Sequence, residues 1–278
     1  MTMPQSGQPT EQPRALELDE QACRRIVQGT FLAGVELVQE TCSTNDDCLS
    51  AIRAGRILQH PWLYVANHQS QGRGRTGSRW WSAPGALTFT ISLRLEDPAG
   101  QSLLSLLSAV AACRALESIT GCPPLSIKWP NDIYCQGRKL AGILMESPDG
   151  GETVVLGIGI NLNNSTSQAP VEIAGQAIAV LDITGTTVSP ESVLTGVLRE
   201  IELLLPSLRT NDLSIADRWR ARCMLKGRTV GVRHGDLLVT GVCQGIDDLG
   251  HLIVRDQGEA IRLASGSIEW IEADEKRE

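Results

Sequence analysis

After residue 120 the chain reads as three strand candidates in quick succession, 125–129, 139–146 and 153–162, punctuated by turns at Gly137 and at residues 149–151. Such connections are too short for the helical crossover that parallel neighbours need, so this stretch has to pair in an antiparallel or mixed sheet. Just before it, Leu103, Leu106, Leu107, Val110, Cys113, Leu116 and Ile119 fall three or four apart, the period of a long helix with a broad apolar face over residues 101–119. Gly121-Cys122-Pro123-Pro124 ends that helix. A long helix laid on meandering strands predicts an α+β fold: a mixed or antiparallel sheet with flanking helices.

The flanks fit around that centre. Residues 1–34 read as a leader: the first fourteen are polar and Pro/Gln-rich and predict disorder, with one short helix over 16–32. A strand over 35–41 leads to Ser43-Thr44-Asn45-Asp46-Asp47, a cluster of N-cap residues and first-turn acids that opens a helix carrying Cys48, Leu49 and Ile52. Strands follow at 62–66 and 86–95, and helices at 190–208 and 212–224, which complete a main domain over 35–224. From Gly227 short Val/Leu/Ile runs alternate with His234-Gly235-Asp236, Asp247-Asp248-Leu249-Gly250 and Asp256-Gln257-Gly258 turns. These predict a small C-terminal β-barrel of SH3-like size over 225–272, before a short tail at 273–278.

Composition narrows the class. At 278 residues and 42% hydrophobic content the chain can bury a real core, and with only 4% aromatics that core is aliphatic. Eight cysteines are scattered without a CxxC pair and beside only four histidines, so no zinc site is suggested. No apolar run approaches 18 residues and no signal core opens the chain, which predicts a cytoplasmic protein with reduced thiols and no membrane partner.

Charge is unevenly spread. Residues 48–95 contain no Asp, Glu or Lys but six arginines, a formal +6 within a chain of net charge −7. At their centre lies Gly72-Arg73-Gly74-Arg75-Thr76-Gly77-Ser78-Arg79-Trp80-Trp81. Glycines let backbone approach a ligand closely, and arginines offer planar donors to phosphate or carboxylate, so the segment suits closure over a small anion. A solvated surface linker explains the same composition, and an RNA-binding segment is a further reading that the acidic whole opposes. Of the adjacent Trp80 and Trp81, one is expected in the core and the other toward a ligand.

A second constellation is Lys128-Trp129-Pro130-Asn131-Asp132 at a strand end, with Arg138-Lys139-Leu140-Ala141-Gly142-Ile143-Leu144 starting the return strand. Pro130 is expected to leave Asn131 and Asp132 in an irregular segment, and Gly142 to leave room for a ligand. Gly157-Ile158-Gly159-Ile160-Asn161 lacks the strand-loop-helix context of a dinucleotide fingerprint, so no such site is read there.

Taken in order and at these spacings, Ser43-Thr44-Asn45, the GRGRTG loop with its Trp, KWPND, RKLAGIL and GIGIN resemble the biotin protein ligases over roughly residues 35–270. The resemblance implies a class II synthetase-like catalytic domain with a terminal SH3-like barrel. It implies use of ATP and Mg²⁺ to make biotinyl-5′-AMP from biotin, then transfer of biotin to a lysine of a biotin carboxyl carrier domain in a carboxylase. It assigns biotin contacts to Ser43, Thr44, Asn45 and Gln69, whose hydroxyl and amide groups suit a buried urea. Plain helix capping is the alternative reading of Ser43 and Thr44, and the two roles can coexist. Arg73, Gly74 and Arg75 match the ligand-ordering loop, Lys139 a position near the biotin carboxylate and α-phosphate, and Gly142 the space beside it. Gly72, Arg75, Trp80, Lys128, Asn131, Asp132 and Asn161 match positions at the nucleotide. Arg73, Arg75 and Lys139 are then the catalytic cations, Asp132 the candidate base, and Mg²⁺ comes with the phosphates without assigned protein ligands.

Two departures stand out: Thr76 and Ser78 are neutral where some members are basic, and residues 268–271 lack an Arg that some carry. Roughly 40 residues precede Ser43, too few for the winged helix of some members, so no DNA binding is expected. Exposed sheet edges leave a homodimer open. A lipoate ligase or octanoyl transferase of the same fold is the alternative, and a non-enzymatic nucleic-acid module the next.

Overall fold

The computed structural model describes residues 17–57, 59–95, 98–148, 151–208 and 214–272. The expected disordered leader at 1–14, much of the turn at 149–151 and the tail at 273–278 lie outside them.

Helix α1 (Glu20–Gln28) starts where the Asp19 carboxylate accepts from Ala22 N. It is shorter than the expected 16–32. Strand β1 (Gly34–Thr41), helix α2 (Thr44–Arg53) and strand β2 (Trp62–Gln69) form a β-α-β unit, so β1 and β2 pair in parallel. Strand β3 (Leu87–Arg94) is followed by helix α3 (Pro98–Thr120) and by β4 (Ser126–Lys128), β5 (Asp132–Cys135), β6 (Arg138–Glu146) and β7 (Thr153–Ile160). These complete a seven-stranded mixed sheet in the order β1-β2-β3-β7-β6-β5-β4, antiparallel everywhere except β1/β2. The expected irregular segment holds for Asn131, which lies in a three-residue turn, and is corrected for Asp132, which opens β5 and pairs with Lys128. Pro130 fits because it occupies that turn, where no ladder donor is needed.

Alternation decides which side of the sheet holds what. Leu87, Phe89, Ile91 and Leu93 of β3, with Val154, Leu156, Ile158 and Ile160 of β7, belong to the main core, on which α3, α4 (Pro190–Leu204) and α5 (Ser214–Arg220) pack. The interleaved Thr88, Thr90 and Ser92 are buried polar residues, and the interleaved positions of β7 include Gly157 and Gly159. α2 lies against β2, β3 and β7. No apolar run near 18 residues is expected from the sequence, yet residues 103–120 of α3 average a mean hydropathy of 1.5 over 18 residues. It is a core helix, and its charged residues are paired: Arg114 with Glu200 at 2.6 Å, Glu117 with Arg222 at 2.5 Å. The helix expected at 212–224 is shorter, Ser214–Arg220.

Strands β8 (Thr229–His234), β9 (Leu237–Ile246), β10 (Leu252–Asp256), β11 (Glu259–Leu263) and β12 (Ser267–Ile271) form a separate antiparallel sheet in the order β11-β10-β9-β8-β12. Its inner residues Val230, Val232, Cys243, Leu252 and Val254 join the main core without a gap. Polar contacts from Trp129, in the KWPND motif, and from the helix residue Arg220 help to fix it in place. Trp129 Nε1 donates to Gly250 O at 3.1 Å, and Arg220 Nε donates to Ile246 O at 2.8 Å.

Candidate active site

The sheet face away from α3 carries a cavity of about 250 Å³. Its inner end is polar and buried, with α2 supplying the first half. Ser43 caps that helix, its Oγ accepting from Asp46 N at 3.4 Å, and thereby turns Thr44 and Asn45 inward. Thr44 N and Oγ1 both donate to Gln69 Oε1, at 2.9 and 3.2 Å. Thr90 completes the group: its Oγ1 lies 2.8 Å from Thr44 Oγ1 and donates to Asn45 Oδ1 at 2.6 Å. Asn45 Nδ2 donates to Glu146 Oε2 at 2.8 Å. Space for Asn45 exists only because β7 has glycine opposite, since a Cβ on Gly157 would come 2.1 Å from Asn45 Oδ1.

The outer end is cationic. The GRGRTG segment is a tight hairpin: Trp80 N donates to Gly72 O at 2.8 Å, Gly74 N to Ser78 O at 2.7 Å, and Thr76 turns the chain at φ 52°. Gly72 faces away from the cavity. A Cβ there would meet Gln69 Nε2 at 2.6 Å and Trp80 O at 2.8 Å, so its task is to let the hairpin close on the floor. Arg73, expected to meet the ligand, is held by two carboxylates, those of Asp46 and Glu146. These bonds, that of Asp46 first, raise its pKa against the opposing effect of burial. Arg75 lines the cavity, and its Nη1 lies 3.5 Å from Gly266 O in the loop before β12. Burial lowers its pKa, with the field of Asp132 working the other way.

Across the cavity, Lys139 Nζ pairs with Asp132 Oδ1 at 2.7 Å and lies 5.9 Å from the Trp80 ring centroid. Lys128 Nζ stands 5.8 Å from the Tyr134 ring centroid, and burial lowers its pKa ahead of the opposing field of Asp132. Among the described residues neither Arg75 nor Lys128 forms an ion pair, so two cations are held partly desolvated and uncompensated. An anion placed between them restores what burial removed. Gly142 lies under Lys139, where a Cβ would be 3.4 Å from Nζ. Asn131 Nδ2 donates to Ile143 O.

Thirteen of the sequence-read positions line this one cavity: Ser43, Thr44, Asn45, Gln69, Arg73, Gly74, Arg75, Trp80, Lys128, Asn131, Asp132, Lys139 and Gly142. Asn161 does not. It borders a neighbouring recess of about 210 Å³, shared with Trp80, Trp81, Lys139 and Glu172, and its Oδ1 accepts from Asn164 Nδ2 at 3.1 Å. The expectation that one of the tryptophans enters the core is corrected, since both are half-buried and border that recess. Trp80 instead lies flat on Gly159, where a Cβ would come 2.5 Å from its ring.

Sequence reading missed Thr90, Asp46 and Glu146 as parts of the site. The alternating hydroxyls of Leu87-Thr88-Phe89-Thr90-Ile91-Ser92 were the available signal, because both faces of a central strand are buried and a hydroxyl there needs a partner. The rim residues Gly266, Ser267 and Ile268 were also missed.

Residues 39–163 match the Biotin/lipoate A/B protein ligase family. The chain is 32% identical over 259 residues to a biotin-acetyl-CoA-carboxylase ligase of Mycobacterium tuberculosis, covering 90% of this chain and 95% of that one. It is 34% identical over 229 residues to a biotin-acetyl-CoA-carboxylase ligase of Paracoccus denitrificans, covering 79% and 93%. Among solved structures it is similar to a biotin protein ligase from Aquifex aeolicus in complex with biotin and ATP, with TM-score 0.75, 27% identity and coverage of 87% and 99%. Relatives of this identity over nearly their whole length, with the two-ended cavity, place the chain: it belongs to the biotin protein ligases of the biotin/lipoate A/B protein ligase family.

Proposed function

We propose that the cavity takes biotin at its polar inner end and ATP at its cationic outer end, makes biotinyl-5′-AMP, and passes biotin to a lysine of a carboxylase carrier domain. The observation that carries this reading is the pairing, in one cavity, of a buried amide-and-hydroxyl cluster with two uncompensated cations. A urea ring presents one carbonyl and two N–H groups, which Thr44, Asn45 and Gln69 can satisfy in kind, with Thr90 bonding Thr44 and Asn45 from behind. The similar Aquifex aeolicus enzyme is described with biotin and ATP.

In the first step a biotin carboxylate oxygen attacks the α-phosphorus, a new O–P bond forms, and the bond to pyrophosphate breaks. Two anions must approach, so Arg75, Lys128 and Lys139 lower the repulsion and hold the reactants in line. Asp132 keeps the Lys139 ammonium aimed across the cavity. In the second step a carrier lysine amine attacks the acyl carbon and AMP leaves; the Asp132 carboxylate stands near the same cations to accept the proton lost from nitrogen. Closure of the arginine hairpin keeps water from the mixed anhydride. Among the described residues no group of three or more His, Cys, Asp or Glu could hold a metal ion. Magnesium would come with the nucleotide phosphates, as part of the substrate, and would supply charge neutralisation there. Dependence on ATP fits a cytoplasmic setting.

Biotin-dependent exchange of pyrophosphate into ATP, followed by transfer of labelled biotin to an apo carrier domain, tests the reading. Exchange is expected with biotin and not with lipoate. Exchange supported by lipoate instead would overturn it, because a dithiolane offers the inner cluster nothing to hydrogen-bond.

A further inference from the structure

Glu146, the last residue of β6, has one carboxylate serving two parts of the site. Its Oε2 accepts from Asn45 Nδ2 at 2.8 Å and from Arg73 Nη2 at 3.2 Å, and its Oε1 accepts from Arg73 Nη1 and Nη2 at 3.3 Å each. Arg73 has a second acid, since its Nε donates to Asp46 at 3.2 Å and its Nη2 also bonds that carboxylate. Asn45, by contrast, is used at both ends, with Oδ1 held by Thr90 and Nδ2 donating to Glu146 at 2.8 Å and, more loosely, to Leu144 O at 3.4 Å. A ligand that accepts from Asn45 Nδ2 has to displace one of its two acceptors, because both N–H groups are engaged.

We infer that Glu146 is a positioning residue that couples the biotin end of the cavity to the arginine hairpin, by being contested between Asn45 and Arg73. The inference rests on the reading that biotin binds at the inner end. When biotin accepts from Asn45 Nδ2, Glu146 is released toward Arg73, and the hairpin is drawn down onto α2 and β6. Conversely, Arg73 pulls Glu146 from Asn45 and readies the amide for biotin. The two events favour each other, and such coupling is reciprocal. Asp46 opposes it by competing for the same guanidinium.

The competition has a sign that damage to the fold does not. Arg73→Gln leaves Glu146 to Asn45 alone and is expected to weaken biotin binding roughly fivefold to tenfold. The same change made in Glu146→Gln, where the amide oxygen holds Asn45 without a charge for Arg73, is expected to have little further effect. Asp46→Asn, at a half-exposed carboxylate, gives Arg73 wholly to Glu146, so biotin binds as tightly as to wild type or tighter.

Calorimetric titration of biotin into the full chain and these four variants, single and double, with melting curves to confirm folding, decides the matter. Equal weakening by Arg73→Gln with and without Glu146→Gln would mean that Arg73 meets biotin directly, and the coupling would fall. Weakening by Asp46→Asn as large as by Arg73→Gln would overturn it independently. A wild-type chain that binds no biotin removes the functional reading itself, an outcome distinct from both.

Discussion

On the cavity floor, Thr44, Asn45, Gln69 and Thr90 are 0–7% exposed, sit on helix or strand backbone, and bond one another. In the hairpin above them, Arg73, Thr76, Gly77, Ser78 and Arg79 are exposed, the turn relies on a positive φ at Thr76, and the attachment to the floor runs through charged side chains. Buried neutral hydrogen bonds cannot be traded for water without leaving a polar atom unsatisfied, so the floor is rigid. Exposed ion pairs can be traded for water at little cost, so the hairpin can open. On the proposed reading the floor would select what binds, and the hairpin would set how long it stays.

The largest test strikes the floor's tighter glycine contact, at Gly157 rather than Gly72. In Gly157→Ala the added carbon would fall 2.1 Å from Asn45 Oδ1, against a side chain pinned at both ends. Asn45 has to leave, and biotin affinity is expected to fall about 100-fold. Titration of biotin measures it. Affinity within threefold of wild type would show that the floor yields as the hairpin does, and the contrast would collapse.

Thr90→Val keeps shape and removes a hydroxyl. Asn45 Oδ1 is left buried without its donor, which costs about 2 kcal/mol of stability. For a chain of this size that is roughly 4–8 °C in Tm, read by calorimetry. No hairpin substitution is expected to move Tm as far.

Legibility followed the same division. The hairpin was the plainest feature of the sequence, because Gly and Arg clustering is a local signal and needs no tertiary partner to be seen. The antiparallel order after residue 120 was equally plain from connection length. What the sequence hid was pairing at a distance: Thr90 lies 45 residues from Asn45 and Glu146 lies 101. Composition marked Arg73 as a free cation; only the fold brings Asp46 and Glu146 to it and leaves Arg75 and Lys128 as the uncompensated charges. Asp132 was misplaced into irregular backbone because Pro130 looked like the end of a ladder, whereas a turn of three residues confines it.

Arg75→Gln separates binding from stability. The guanidinium is partly buried without an ion-pair partner, and its removal relieves a desolvated charge. The KM for ATP in pyrophosphate exchange is expected to rise about tenfold while Tm stays level or rises slightly. A fall of several degrees would place Arg75 among the structural residues, and the hairpin would then resemble the floor.

Thr76→Gly is the smallest of these changes and the most direct question about how the hairpin is shaped. At φ 52° a threonine pays about 1 kcal/mol that glycine does not. Glycine pays a comparable amount in chain entropy, roughly 0.5–1 kcal/mol. Thr76 Oγ1 also bonds Arg75 O at 2.8 Å, in the open, where water can replace it. The three effects nearly cancel, so Tm is expected to stay within about 1 °C of wild type. Retention of the adenylate should shorten by no more than about threefold, because the hairpin remains tied through Arg73. A drop of several degrees would mean that Thr76 holds the turn by itself. The hairpin would then be built like the floor, through local bonds that must not break, and its opening would need another cause.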